Sequence, residues 1–150
     1  MKKFQFQFES VLKMRCHKRG LCRQLLGEVI QTDQRLKQQK RNLEELRTKQ
    51  FQEIRIRQSK GAVDIDGTSS LRFYAGQLQA QIQTLIANRK IVEKQIHACR
   101  QALASAEQEV KAMEKLSDKH REQFLYEQNK RESFELEETW AATQQMRVLR

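Results

Sequence analysis

Proline is absent from this 150-residue sequence, and glycine occurs only five times. A β-sandwich, a barrel or a doubly wound sheet needs many tight turns, and turns are built largely from these two residues. Such folds are excluded. Five scattered glycines also leave no room for GxxxxGK[ST] or GxGxxG, so neither common nucleotide-phosphate loop is present. Hydrophobic residues make up 38% and aromatic residues 7% of the chain, against 32% charged. That is leaner than a single compact core of this length uses. No stretch approaches the ~20 apolar residues of a membrane span. Met1-Lys2-Lys3 is basic, but Gln5 and Gln7 break up the phenylalanines of Phe4 to Phe8, so the apolar core of a signal peptide is missing. Cysteine is sparse and odd in number (Cys16, Cys22, Cys99), which points to a reduced, cytoplasmic setting.

Catalytic and metal-ligating constellations are equally scarce. His97 and Cys99 stand two residues apart, which turns them to different faces of a helix. Cys16, His17 and Cys22 have no CxxC spacing and no second ligand pair. Asp64-Ile65-Asp66-Gly67 resembles the start of a calcium loop, but the position for its closing glutamate is Ala75. A solvated turn is the expectation there. No enzyme activity and no cofactor are implied.

What the chain does have is charge of one sign at one end. Residues 1–60 carry 16 Lys/Arg against 6 Asp/Glu, whereas residues 61–150 carry 13 of each, so the whole excess of +10 lies in the first 60 residues. That asymmetry suits an acidic partner surface. Nucleic acid fits less well. Lys13, Arg15, Lys18, Arg35, Lys37, Arg41, Lys49 and Arg55, among others, surround the helix except along its seam, without interleaved aromatic stacking platforms.

The chain has one clear break, Ser59 to Ser70, with Gly61 suited to the position past a helix end and Thr68, Ser69 or Ser70 suited to cap the next helix. Two helices, about 8–59 and 69–146, are predicted, with a loop at about 60–68. In the second, alternate steps of four and three run Leu71, Ala75, Leu78, Ile82, Leu85, Arg89, Val92, Ile96, Cys99, Leu103, Ala106, Val110, Met113; twelve of these thirteen are apolar, Arg89 being the exception. A heptad seam of this length separates coiled coil from disorder. In the first helix a weaker seam reads Cys22, Leu25, Val29, Thr32, Leu36, Gln39, Leu43, Leu46, drifting on to Phe51 and Ile54. His120 continues the second seam.

The expected fold is therefore all-α: two long helices in an antiparallel coiled-coil hairpin, a single domain, with the second helix longer than the first. If Lys60 sits opposite Thr68, Phe4 lies near residue 124, and residues from about 125 onward have no intrachain partner. That overhang carries Tyr126, Phe134, Leu136 and Trp140 among five glutamates. A helix showing aromatic residues to solvent usually awaits a partner surface. Alternatives consistent with the seam and the charge are a generic coiled-coil scaffold or dimer, and a basic nucleic-acid-binding rod.

The opening Phe4-x-Phe6-x-Phe8-x-x-Val11-Leu12-x-x-Arg15 resembles the start of the FliJ proteins, where an F-x-F-x-[LF]-x-x-V-L-x-x-[RK] pattern is common. The run from Met113-Glu114-Lys115-Leu116 through Lys119, Arg121, Phe124, Glu127 and Lys130-Arg131-Glu132 to Glu138 is similar to that family's closing helix, with Phe124 where many members have tyrosine and Glu138-Thr139-Trp140 in place of an aspartate-glutamate ending. The resemblance implies a soluble component of the flagellar type III export apparatus, similar to the central stalk of rotary ATPases. It implies binding to the hexameric export ATPase (FliI-like) and to the cytoplasmic domain of the export gate (FlhA-like), and an escort role for export chaperones. It implies peripheral association with the cytoplasmic face of the inner membrane, no nucleic acid, no membrane insertion, and a monomer when free. On that basis Phe4, Phe6, Phe8, Val11, Phe134, Leu136 and Trp140 are the expected ATPase contacts, and Phe73, Tyr74 and Leu78 the expected gate contacts.

Overall fold

The computed structural model describes residues 3–61 and 65–148. They form two helices, α1 (Glu9–Ser59) of 51 residues and α2 (Ile65–Val148) of 84. No strand occurs among the described residues. Among the described residues no side chain caps the start of α1. The Phe8 carbonyl accepts the first helical bond from Leu12 N–H (3.0 Å), Glu9 N–H donates to the Phe6 carbonyl (3.2 Å), and Glu9 places negative charge on the positive end of the helix dipole. At its other end Ser59 Oγ donates to the Ile56 carbonyl, and Gly61 takes φ +70°, the left-handed conformation that stops helices. The break thus falls where the glycine places it.

α2 begins earlier than predicted. Ile65, Asp66 and Gly67 already form its first turn, and Thr68, Ser69 and Ser70 lie inside the helix rather than capping it. Ser70 Oγ donates back to the Asp66 carbonyl at 3.0 Å. Ala62, Val63 and Asp64, the last of these being the opening residue of the calcium-loop-like fragment, lie outside the described residues.

The chain divides into two compact units, one of residues 1–20 and 104–150, the other of residues 21–103. In the second unit the two helix arms pack antiparallel along the α2 seam. Ala75, Leu78, Ile82 and Val92 are buried, and Leu71, Leu85, Arg89, Ile96, Cys99 and Leu103 are half-buried. Every expected α2 position in this unit faces inward.

On α1 the phase differs from the expected one. Leu25 is 52% exposed, and Gln39, Leu46 and Phe51 are exposed too. The inward set steps by four and then three from Cys22: Leu26, Val29, Asp33, Leu36, Lys40, Leu43, Arg47, Gln50 and Ile54. Cys22, Val29, Leu36, Leu43 and Ile54 of the expected seam belong to this set, whereas at Gln39–Lys40 and Leu46–Arg47 it is the charged neighbour of the expected residue that turns inward. Lys40 and Arg47 lie on the seam because their methylene stems cover apolar surface while their heads reach outward: Lys40 pairs with Glu44 at 3.5 Å, and Arg47 donates to the Gln79 amide oxygen across the pair.

Asp33 has no such stem and is 8% exposed. Arg89 Nε donates to its Oδ1 at 3.0 Å from α2, and Lys37 Nζ lies 3.4 Å from Oδ2 one turn along α1. The hydrogen bond from Arg89 holds the Asp33 carboxyl below its ordinary range. Burial opposes this, while the charge of Arg89 and the bond and charge of Lys37 reinforce it. Because the folded value lies below the unfolded one, the stabilisation is complete above the ordinary carboxylate value of ~3.9 and disappears as pH falls through the lower folded value. The difference in melting temperature between wild type and Asp33→Asn is therefore expected to be constant near neutrality and to shrink below about pH 4. Thermal scans by circular dichroism across pH 2–7 check this.

In the other unit Ala106, Val110 and Met113 of α2 are buried, and Val110 is the most enclosed large side chain, at 0% exposure. Arg15 Nη1 donates to the Glu109 carbonyl and Lys18 Nζ pairs with the Glu109 carboxylate, both at 3.3 Å. Residues ahead of Glu9 run without helix along α2 as a strap.

Candidate functional site

Alternation places Phe4, Phe6 and Phe8 at every second residue of that strap, the period of an extended segment. The rings meet α2. Phe4 lies 5.7 Å from Phe124, at the level expected from the hairpin register. Phe6 packs edge-on against His120 at 5.8 Å and against Phe8 at 5.8 Å, and Phe8 lies 6.4 Å from His120. His120 is half-buried beneath these rings, as a seam residue should be. Phe6 is 8% exposed; Phe4 and Val11 are half-buried, and Phe8 is the most open of the group. The N-terminal aromatic residues thus form a clamp on α2, with Phe8 partly open to solvent.

Past Phe124 the cover ends. From residue 131 to residue 147 every α2 side chain is exposed. Trp140 is 67% exposed, and Leu136, one turn before it, is open to the same degree. Between them runs a shallow groove that also involves Ser133, Glu137, Thr139 and Thr143. The Thr139 and Thr143 hydroxyls donate to the Glu135 and Thr139 carbonyls (both 2.9 Å), so their polar atoms are satisfied within the helix. Phe134 points to another side, with Lys130 Nζ 6.0 Å from its ring centre, and Tyr126 is exposed two turns earlier. The overhang therefore presents apolar groups on several sides, separated by Glu127, Glu132, Glu135, Glu137 and Glu138.

The second unit carries the other expected residues. Phe73 is exposed and Tyr74 partly so, on the outer side of α2. Leu78 lies in the seam at 2% exposure, so its side chain packs within the chain. An open groove in this unit is lined by Leu43, Leu85, Gln39, Asn42, Gln81 and Thr84. Among the cations of α1, exposed Lys37 and Arg57 and the seam residue Lys40 pair with acids on their own helix. None of this is a constellation for bond-making chemistry. Among the described residues no group of three or more His, Cys, Asp or Glu could hold a metal ion, and no helix is long and apolar enough to cross a membrane. Cys16, Cys22 and Cys99 are free thiols, each half-buried.

Sequence reasoning missed Asp33 as a seam residue. Its signal was present: Arg89 interrupts an otherwise apolar seam, and a buried cation calls for an acid on the facing helix.

Comparison with curated proteins and with solved structures finds no match for this chain. Comparison with family models does. A model described as "Flagellar FliJ protein" matches residues 4–148, from the first strap aromatic through the overhang. With that match across nearly the whole length of a paired, two-helix chain, the protein belongs to the flagellar FliJ family and is a component of flagellar protein export.

Proposed function

We propose that this protein is a stalk-like coupling factor that joins the hexameric export ATPase to the export gate and catalyses no reaction itself. The observation that supports this best is the mismatch between the helices, 84 residues against 51, which leaves α2 with an exposed apolar and aromatic end in a chain otherwise short of aromatics. Phe134, Leu136 and Trp140 meet the ATPase in this reading. Phe8 adds its open edge, while Phe4, Phe6 and Val11 hold the strap in place behind it. Apolar groups on several sides suit a partner that encloses the helix, as a ring opening does, better than a flat surface. Basic side chains of α1 follow acidic loops of the ring. Phe73 and Tyr74 meet the cytoplasmic domain of the gate, and Leu78 supports them from the seam. Peripheral association with the inner membrane then arises through these partners, and export chaperones are escorted by the same surfaces.

Binding to the purified export ATPase and to the gate domain tests the reading. Leu136→Ala combined with Trp140→Ala is expected to weaken ATPase binding by ~100-fold, the scale of a pair of central anchors, with helical content unchanged because both side chains are exposed. Phe73→Ala with Tyr74→Ala is expected to weaken gate binding alone. A chain that binds neither partner removes the proposal.

A further inference from the structure

We infer that the Asp33–Arg89 pair assigns the α2 seam to α1 of the same chain and keeps it from pairing with a second copy of α2. Within residues 71–103 the seam holds ten positions, nine of them apolar (Leu71, Ala75, Leu78, Ile82, Leu85, Val92, Ile96, Cys99, Leu103). More than four heptads of such a stripe form a self-complementary surface, and two α2 helices could bury it against each other. The α1 seam is a poorer mate by composition, since Asp33, Lys40, Arg47 and Gln50 all lie on it. Composition alone therefore favours the wrong pairing; the short connection from Ser59 to Ile65 favours the right one through effective concentration, and the seam itself can add to that opposition.

Arg89 does so. It is the single charged residue on this stretch of seam, and the stretch carries no aspartate or glutamate. In a parallel in-register α2 pair Arg89 meets its own copy. In an antiparallel pair centred on it the outcome is the same, and in any offset arrangement within residues 71–103 it meets an apolar layer. Every such α2–α2 arrangement thus buries a guanidinium with no acid across from it. Glu93, 3.6 Å away on the same helix, is 60% exposed at its side chain and gives only a weak, screened contact. Against α1 the position is different. Asp33 is the one acid of α1 in this unit that is buried, it lies 3.0 Å from Arg89 Nε, and it is short enough to require that partner. Lys37 closes its other oxygen. A slip of one heptad sets Arg89 opposite either Leu26 or Lys40 instead, so the pair also fixes the register.

Sedimentation equilibrium of the full chain, with circular dichroism on the same samples, tests this with two double variants. Asp33→Leu with Arg89→Leu completes the apolar stripe; it is expected to remain helical and to self-associate with a Kd of about 1 µM or tighter, at least ~100-fold tighter than wild type, which is expected to stay monomeric at 100 µM. Asp33→Arg with Arg89→Asp restores the complementary pair in reverse and is expected to remain monomeric. The inference is overturned by a dimeric wild type, by a double leucine variant that is monomeric or unfolded, or by a charge-swapped variant that dimerises or loses its helix.

Discussion

Replacing Val110 with aspartate unfolds the pairing of the unit formed by residues 1–20 and 104–150, and this is the largest stability effect expected of a single substitution. Val110 is fully enclosed, with Ala106 and Met113 buried one turn to either side. A carboxylate placed there has no cation prepared for it: Arg15 is engaged by the Glu109 carbonyl and Lys18 by the Glu109 side chain. An unpaired buried charge costs ~3–5 kcal/mol, a large share of the ~5–15 kcal/mol that holds a typical chain of this size together. The melting temperature should fall by about 10 °C or more. Amide exchange should accelerate at residues 9–20 and 104–124 together, since each helix arm is protected by the other. Ile91→Asp is the control. Ile91 is 58% exposed, and the same chemical change there should stay within ~0.5 kcal/mol of wild type. If the two variants melt alike, the seam is not where the structure puts it.

Phe6→Ala is expected to release the strap while leaving both helices formed. Phe6 is the most buried residue of the strap and contacts both His120 and Phe8. Truncating a buried phenylalanine costs ~3–5 kcal/mol where the surroundings cannot collapse. Among the described contacts the strap has only ring pairs to α2, each worth ~0.5–1.5 kcal/mol beyond burial, so losing the central ring exceeds what Phe4 and Phe8 supply. The readout is local. Residues 3–8 should become rapidly cleaved by protease and lose exchange protection, with mean helicity nearly unchanged. Phe8→Ala, at a more open position, should have a smaller effect. This comparison separates two roles that a partner-binding assay alone would merge, since a variant that loses its strap and one that loses a contact residue would both bind less.

The seams of α2 and α1 were legible in the sequence to different degrees for one physical reason. On α2 the apolar residues themselves mark the seam, so every position reached by stepping by four and three from Leu71 to Met113 faces inward. The register followed from the glycine-marked break, and Phe4 does lie against Phe124. On α1 four of the ten inward positions are polar. Their burial depends on what the facing helix offers, which no periodicity of α1 contains: Lys40 and Arg47 extend past the seam to Glu44 and Gln79, and Asp33 waits for Arg89. Of the candidate site, the overhang was legible as leftover length. The packing of Phe6 within the chain was not, because an aromatic side chain looks the same in a sequence whether its mate is in the same molecule or another, whereas Leu78 was already marked by its place on the α2 seam.

By itself the amino-acid order determined an all-helical chain, because it lacks turn residues and repeats apolar side chains at heptad spacing. It determined where the chain reverses, because Gly61 adopts a backbone angle that other residues resist. It determined that the second helix outlasts its mate. Only the tertiary structure decided which face of α1 turns inward and which aromatic residues remain free, because both depend on contacts between residues far apart in the chain, where the burial of a charge is settled by the partner it finds.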